Sequence, residues 1–345
     1  MRPAYQEDTQ PSKKKRIDDP DTLHTSYIEP YVPNISWSPR HFTGTSKITN
    51  YEFLNKLGQG TFGEVHKARD KRTHSLTALK RIMMHNEKEG IPLTAIREIK
   101  ILKQLNHKNI IQLIEIALER EKGDIYMVFP YMDHDLEGLL DNPVVQLTKS
   151  QVKTYFKQLL EGTEYLHHNG ILHRDIKPAN LLINNRGILK IADFGLARTI
   201  NEDALEYTNG VVTRWYRPPE LFLGAKKYTT SIDMWGVGCI FGELLKSKAI
   251  LPGHDDIDQL KKIFKLCGSP TKFNMPNWDS LPHSKTIKIE AGPRQIREAF
   301  KAFEEEAVGL LDCLLILDPA KRLAASDALD HDYFYTEPLP IKPSE

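Results

Sequence analysis

The middle of the chain contains His173-Arg174-Asp175-Ile176-Lys177-Pro178-Ala179-Asn180, and Asp193-Phe194-Gly195 begins thirteen residues after Asn180. Asp175 can accept the proton of a substrate hydroxyl, while Asn180 and Asp193 can hold Mg²⁺ between phosphate groups. Phosphoryl transfer depends on positioning and charge neutralisation more than on covalent chemistry, so this set predicts that reaction. A lone Asp-Phe-Gly would carry little information, but the two motifs in this order and spacing are specific.

A glycine-rich segment lies upstream, Gly58-Gln59-Gly60-Thr61-Phe62-Gly63-Glu64-Val65. Strand-like runs flank it at 51–54 and 65–68, and no helical pattern opens at the glycines. This context argues against the dinucleotide-binding turn that a G-x-G-x-x-G pattern alone would allow. Because glycine has no Cβ, backbone N–H groups there can approach phosphate oxygens. The segment therefore predicts a strand–turn–strand hairpin that covers phosphates.

Three further landmarks follow in order: Lys80 in a strand-like run, Glu98 on a predicted helix, and Pro218-Pro219-Glu220 downstream. Together with the motifs above, they match the known signature set of protein kinases. The chain resembles eukaryotic protein kinases over about residues 49–336.

The resemblance implies an α+β fold of the bilobal kinase type. A small β-rich N-lobe with one regulatory helix would occupy 49–130, and a hinge with a larger, mainly helical C-lobe would occupy 131–336. Residues 337–345 would form a C-terminal tail. Residues 1–48 are rich in Pro, Ser, Thr, Asp and Lys without lasting periodicity, which predicts a mostly disordered extension.

The resemblance also assigns roles at the reaction centre. Asp175 would be the catalytic base, and Lys80 would contact the α- and β-phosphates of ATP and pair with Glu98. The full set of expected catalytic residues is Asp175, Lys177, Lys80, Glu98 and Thr213. The expected Mg²⁺ ligands are Asn180 and Asp193.

The ATP site is predicted around the glycine-rich segment and the hinge. Adenine would use the carbonyl of Pro130 and the amide N–H of Met132, so a proline at 130 costs nothing there. The expected ATP-binding residues are Leu57, Gly58, Gln59, Gly60, Thr61, Phe62, Gly63, Glu64, Val65, Ala78, Lys80, Phe129, Pro130, Met132 and Leu182. The catalytic-looking His173 is instead expected to pack against Phe194.

Three arginines distant in sequence, Arg97, Arg174 and Arg198, converge in this family on a phosphorylated activation-loop threonine, here Thr208. A phosphate brings nearly two negative charges and several acceptors that guanidinium groups match well. The resemblance therefore implies an activating kinase that phosphorylates Thr208.

The run Pro92-Leu93-Thr94-Ala95-Ile96-Arg97-Glu98 resembles the helix that a cyclin grips in cyclin-dependent kinases. The three-residue spacing of Ile96, Ile99, Leu102 and Leu105 predicts one apolar stripe on this helix. Thr208 is followed by Asn209 and Gly210 rather than by the Thr-x-Tyr of mitogen-activated kinases, which disfavours that family.

Within the cyclin-dependent kinases, the closest resemblance is to the transcription-elongation type. It rests on Thr61-Phe62, Pro218-Pro219-Glu220 and the segments 89–92, 128–136 and 208–209. It implies a cyclin partner, of the cyclin T type or a fungal elongation cyclin, and the tail of RNA polymerase II and elongation factors as substrates.

Substrate preference follows from the same resemblance. Val211, Val212 and Arg217 would shape a pocket for proline directly after the phosphorylated Ser or Thr. Gly210 and Arg214 depart from the usual pattern of relatives, which leaves preference beyond that proline open.

Composition narrows the remaining classes. The formal net charge of the 345 residues is +1, which argues against bulk nucleic-acid binding. The three cysteines are too far apart for a disulfide framework or a zinc site. The sequence shows neither an apolar signal region nor a membrane-length apolar run, so a soluble intracellular protein is expected. Lys13-Lys14-Lys15-Arg16 is a candidate nuclear-localisation signal, and the predicted location is the nucleus.

Two alternatives remain open at this point. The chain could be a cell-cycle or another transcriptional kinase of the same family, although Phe62 argues against the first. It could also be a catalytically inactive scaffold, against which Lys80, Glu98, Asp175 and Asp193 all argue.

Overall fold

A computed structural model of the protein describes residues 42–60, 63–83, 90–200, 212–286, 288 and 290–343. Its first lobe is a six-stranded sheet with one helix. The strands are β1 (Thr45–Lys47), β2 (Tyr51–Gly60), β3 (Gly63–Asp70), β4 (Leu76–Arg81), β5 (Glu115–Glu119) and β6 (Asp124–Pro130). Their order across the sheet is β1-β5-β6-β4-β3-β2, with β1 parallel to β5 and the other pairs antiparallel.

The glycine-rich segment forms the predicted hairpin between β2 and β3, in which Gly58 pairs with Val65 and Gly60 with Gly63. Gly63 has φ +142°, and a Cβ there would lie 1.9 Å from the carbonyl oxygen of Arg81. Only glycine fits this position, so the hairpin can lie directly against β4.

In the described part of the N-lobe the α-helix is α1 (Leu93–Leu102), which confirms the predicted helix. Its buried residues are Ala95, Glu98, Ile101 and Leu102, whereas Ile96 is 46% exposed. An α-helix turns about 100° per residue, so residues three apart drift around its axis by about 60° per step. The predicted stripe therefore holds only in part: Leu102 and Leu105 are buried and Ile99 packs against the core, whereas Ile96 lies on the exposed side and Leu105 lies just beyond the helix.

The second lobe is mainly helical. Its helices in the described ranges are α2 (Leu136–Asp141), α3 (Lys149–His168), α4 (Pro219–Phe222), α5 (Ser231–Lys246), α6 (Asp256–Cys267), α7 (Ile296–Ala299), α8 (Glu305–Leu314) and α9 (Ala325–Leu329). Helix α3 begins with a capping box in which Thr148 and Gln151 exchange hydrogen bonds. Helix α5 is buried on all sides from Ser231 to Leu244, as expected for a helix that is apolar all round.

Five short strands lie where the two lobes meet: β7 (His134–Asp135), β8 (Ile171–Leu172), β9 (Leu181–Ile183), β10 (Leu189–Ile191) and β11 (Arg198–Thr199). Strands β10, β9 and β7 form one sheet, and β11 pairs with β8. Asp175 follows β8 and Asp193 follows β10, so the ends of these strands bring both carboxylates to the region where the lobes meet. The bilobal α+β fold predicted from the sequence is confirmed.

Both ends of the described chain are tied to the fold. Strand β1 lies ahead of residue 49, and Thr43 N donates to Ile114 O at 2.8 Å. At the other end, the amide of Ile341 donates to the hydroxyl of Thr154 at 2.7 Å. None of the helices in the described ranges is long and apolar enough to span a membrane.

Candidate active site

The lobes enclose a cleft of about 460 Å³, a size suited to a nucleotide-sized ligand. Ten residues predicted for ATP line it: Leu57, Gly58, Gly63, Val65, Ala78, Lys80, Phe129, Pro130, Met132 and Leu182. Gln59, Gly60 and Glu64 lie in the hairpin but not in this lining. Thr61 and Phe62 lie outside the described residues.

Lys80 connects the two lobes across the cleft. Its Nζ lies 2.8 Å from Glu98 Oε1 and 3.0 Å from Asp193 Oδ1. Burial opposes the charge of this lysine, but the two carboxylates outweigh burial and raise the pKa of Lys80. The ammonium group therefore stays charged, as an electrostatic contact to phosphates requires.

Asp175 is held by three neighbours. Its Oδ1 accepts a hydrogen bond from the hydroxyl of Thr213 at 2.8 Å. Its Oδ2 lies 2.8 Å from Lys177 Nζ and accepts from Asn180 Nδ2 at 3.0 Å. Lys177 also donates to the Thr213 hydroxyl at 3.1 Å. This orientation suits a carboxylate that must accept a substrate proton from a defined direction.

The residues predicted to bind Mg²⁺ offer suitable atoms. Asn180 commits its amide nitrogen to Asp175, which leaves its Oδ1 as the atom that can face a cation. Asp193 keeps a third of its side chain exposed and has a lowered pKa because Lys80 outweighs the effect of burial. Two oxygen ligands are enough when substrate phosphates and water complete the magnesium shell. The donors present therefore fit Mg²⁺ with ATP, which would neutralise the charge of the transferred phosphoryl group.

A buried carboxylate holds the backbone of the catalytic loop. Asp233 accepts hydrogen bonds from the amides of His173 at 2.9 Å and Arg174 at 2.8 Å, and its Oδ2 lies 3.0 Å from His167 Nε2. Arg174 adopts φ +68°, an uncommon conformation for a non-glycine residue, and these bonds stabilise it.

His173 packs rather than reacts. It is fully buried, its Nε2 lies 3.0 Å from the carbonyl oxygen of Ala192, and its ring meets Phe194 edge-on at 4.9 Å. The ring of His173 is thus held by Ala192 and Phe194 in the interior, which agrees with the structural role predicted for this histidine.

The family model described as protein kinase domain matches residues 51–334. The chain belongs to the protein kinase family. It is 54% identical over 325 residues to a protein of Schizosaccharomyces pombe named probable cyclin-dependent kinase 9, which covers 88% of this chain and 55% of that protein. It is 51% identical over 322 residues to cyclin-dependent kinase C-1 of Arabidopsis thaliana, which covers 88% of this chain and 63% of that protein.

A solved structure, the crystal structure of the yeast RNA Pol II CTD kinase CTDK-1 complex, contains a chain of the same fold. The TM-score is 0.80 and the sequences are 44% identical, with 85% of this chain and 95% of that chain covered. The kinase domain described here thus spans nearly all of that chain. By contrast, the chain spans less than two thirds of the two named relatives.

The three arginines predicted to act together lie in one electrostatic neighbourhood of the kinase domain. Burial lowers the pKa of Arg198, and the positive charges of Arg174 and Arg97 lower it further. Arg174 donates to the carbonyl of Leu196 and to the hydroxyl of Tyr228. Within the described part of the chain, no carboxylate lies at ion-pair distance from any of the three. Thr208 itself lies outside the described residues.

The segment next to the predicted proline pocket has an unusual backbone. Val212 adopts φ +70°, which is costly for a β-branched residue. Arg217 donates to the carbonyl of Val212 from both Nε, at 3.1 Å, and Nη2, at 2.9 Å. The side chain of Arg217 therefore fixes the orientation of this peptide group. Val211 lies outside the described residues.

Some residues of the cleft lining were not singled out from the sequence: Ile111, Tyr131, Asp133, His134, Asp135, Ala179 and Ala192. Tyr131 and Asp133 alternate with predicted hinge residues, so treating the hinge as one continuous lining would have found them. Ile111 belongs to no motif, and only the tertiary fold brings it to the cleft.

Proposed function

We propose that this chain is the catalytic subunit of a cyclin-dependent kinase that transfers the γ-phosphate of ATP to Ser or Thr. The observation that carries the proposal is the assembled centre, in which Lys80 bridges Glu98 and Asp193 while Asp175 is oriented by Thr213 and Lys177. Each group takes the part that phosphoryl transfer requires: a cation at the phosphates, a carboxylate at the substrate hydroxyl, and oxygen ligands for Mg²⁺.

Specificity for Ser-Pro and Thr-Pro follows from the backbone at Val212. Its carbonyl is occupied by Arg217, and its left-handed conformation turns the peptide away from the extended geometry that pairs with a substrate strand. A substrate residue that needs a hydrogen bond for its own N–H finds none here. Proline has no N–H and loses nothing, so it is favoured directly after the phosphorylated residue.

Dependence on a cyclin is supported by the outer face of α1. Leu93 is 75% exposed, and Ile91 and Ile96 are also exposed. Neighbouring exposed apolar side chains indicate a surface that another protein covers. Because α1 carries Glu98, a partner on this face would hold the Lys80–Glu98 pair in place.

The arginine cluster supports activation by a second kinase. Arg198 experiences the charges of Arg174 and Arg97 in a partly buried setting, and a dianionic phosphate on Thr208 would relieve this repulsion. We infer that phosphorylated Thr208 binds these three arginines.

The substrates we propose are the repeat tail of RNA polymerase II and elongation factors, with action in the nucleus. The support is similarity: one relative is named probable cyclin-dependent kinase 9, and the solved structure is of a Pol II CTD kinase complex. The partner would be a cyclin of the T type or its fungal elongation counterpart.

The deciding experiment co-expresses the chain with such a cyclin and assays a polymerase-tail peptide. We expect phosphate incorporation only in the presence of the cyclin, and a strong loss when each proline after the target serine is changed to alanine. Full activity of the purified chain alone would contradict cyclin dependence, and equal rates on the alanine peptide would contradict proline specificity.

The same assay separates the alternatives. An inactive scaffold would bind the cyclin without any transfer. A cell-cycle kinase would favour a different cyclin and a Ser-Pro peptide unrelated to the polymerase tail.

A further inference from the structure

Arg214 follows Thr213 directly and extends away from the reaction centre. Its Nε lies 3.0 Å from Asp256 Oδ1, and its Nη1 donates to the carbonyl of His254 at 3.0 Å. Asp256 is the first residue of α6. The guanidinium group thus fastens the residue next to Thr213 to a helix of the C-lobe.

The neighbouring residue is fastened to the same loop. Trp215 Nε1 donates to the carbonyl of Gly253 at 3.0 Å. The fully buried Gln259 of α6 accepts from the amide of Gly253 at 2.8 Å and donates to the carbonyl of Trp215 at 3.4 Å. A Cβ at Gly253 would lie 2.3 Å from Gln259 Oε1, so loop and helix are in close contact. The loop and helix that Arg214 and Trp215 contact are therefore closely packed against each other.

The Arg214–Asp256 pair is half exposed, with 44% and 60% of the two side chains accessible, and such a pair alone would contribute little to stability. The pair matters instead because of the residues that lie next to it. Thr213, one residue away, donates to the base Asp175, and Arg217 shares the electrostatic environment of Asp256 and Arg214. The pair therefore adjoins Thr213, which contacts the catalytic base, and acts electrostatically on Arg217, which contacts Val212.

We propose that Arg214 is a positioning residue that holds the Thr213 hydroxyl on Asp175 and the Val212–Arg217 segment in its substrate-binding shape. The inference rests on the proposed kinase function and adds to it a residue outside the catalytic set. Small displacements at a reaction centre cost large factors in rate, so loss of a weak surface contact can matter here. Arginine suits the role because its planar fork presents separate N–H groups to the carboxylate and the carbonyl in a fixed geometry, whereas a lysine ammonium is a point charge on a flexible stem.

The test compares the wild type with Arg214→Leu, Arg214→Lys, Asp256→Asn and the double variant Arg214→Leu/Asp256→Asn, each as the complex with cyclin. Arg297→Leu is the matched control, because it removes an exposed arginine from an ion pair elsewhere on the C-lobe. We expect Arg214→Leu to lower kcat/KM for the peptide about five- to twenty-fold, the scale of a misaligned site, and to leave KM for ATP unchanged.

The remaining variants show how Arg214 acts. Arg214→Lys should recover part of the loss, and the double variant should be no worse than Arg214→Leu, since coupled residues are not additive. A kcat/KM for Arg214→Leu within twofold of the Arg297→Leu control would overturn the proposal. Losses that multiply in the double variant would overturn the pairing with Asp256.

A second readout needs no substrate. Hydrogen exchange of the amides in 212–217 should be faster in Arg214→Leu than in the wild type and in Arg297→Leu. An inactive wild-type complex would refute the proposed function, whereas unchanged exchange in Arg214→Leu would refute the positioning role whether or not the complex is active.

Discussion

The catalytic loop and the arginine cluster lie side by side, but they are completed in different ways. Asp175 has partners for both carboxylate oxygens within the protein, and Asp233 holds the backbone amides beside it. Arg97, Arg174 and Arg198 repel one another, with no carboxylate at ion-pair distance among the described residues. Asp175 thus has its partners within the chain, whereas we propose that an added anion completes the adjacent arginine cluster.

The largest effect is expected in the catalytic loop, at Asp175. Asp175→Asn should reduce kcat about 10²–10⁴-fold, the range of a lost general base, while leaving folding and ATP affinity nearly unchanged. The nucleotide is held by other groups, such as Lys80. Steady-state kinetics with cyclin present and a thermal unfolding midpoint measure both parts. A variant that keeps more than half of wild-type kcat would remove Asp175 from the role of base.

The next largest effect is expected where phosphorylated Thr208 is proposed to bind the arginine cluster. Thr208→Ala should lower activity at least about tenfold, as expected for loss of a charge-assisted contact to several guanidinium groups. Adding Arg198→Ala should cost little more, because both changes remove the same interaction. Arg198 is the best probe, since Arg174 adjoins the base and Arg97 adjoins Glu98.

This cycle is measured on wild type that is stoichiometrically phosphorylated at Thr208. The outcome that contradicts the switch is a double variant in which the two losses multiply in full, because Arg198 and Thr208 would then act independently.

The contrast also explains what sequence reasoning could reach. Lys80, Glu98, Asp175, Asn180 and Asp193 were predictable because each belongs to a motif whose order and spacing are specific, and the structure brings them together. Once the fold is known, the positions of these motifs in it are enough to place their side chains at the same cleft.

The misses have physical causes. The apolar stripe on α1 was wrong at Ile96, because a three-residue spacing drifts around a helix and because Ile96 lies on a face that a partner is proposed to cover. The anchoring of Arg214 on Asp256 joins residues 42 positions apart and carries no periodic signal. Such pairs follow from the tertiary fold alone.

A smaller effect tests the partner face of α1. Leu93→Glu should weaken cyclin binding about tenfold or more, because it places a charge in the centre of a surface that must lose water. The unfolding midpoint of the isolated chain should hardly change, since Leu93 is exposed. Val144→Glu is the control, an exposed apolar residue of the C-lobe. Equal binding by the two variants would place the cyclin elsewhere.

The smallest effect concerns a buried acid behind the substrate-binding segment. Burial raises the pKa of Glu243 to about 7, with Glu137 and Asp141 adding to the shift, although Tyr216 donates to its carboxylate at 2.8 Å and opposes it. The folded protein therefore binds this proton more tightly than the unfolded chain does. The resulting stability is complete below the ordinary glutamate pKa and is lost as pH rises towards 7.

Glu243→Gln keeps an acceptor for Tyr216 but cannot titrate. We expect the free energy of unfolding of the wild type to fall by about 2–3 kcal/mol relative to this variant between pH 5 and pH 8, as linkage requires for a raised pKa. Denaturant titrations of both proteins at the two pH values measure the difference, and titrations common to both cancel. A difference independent of pH would mean that Glu243 is ionised throughout this range. In that case Tyr216 donates its hydrogen bond to a charged carboxylate, and Glu243 is not the neutral acid that its burial predicts.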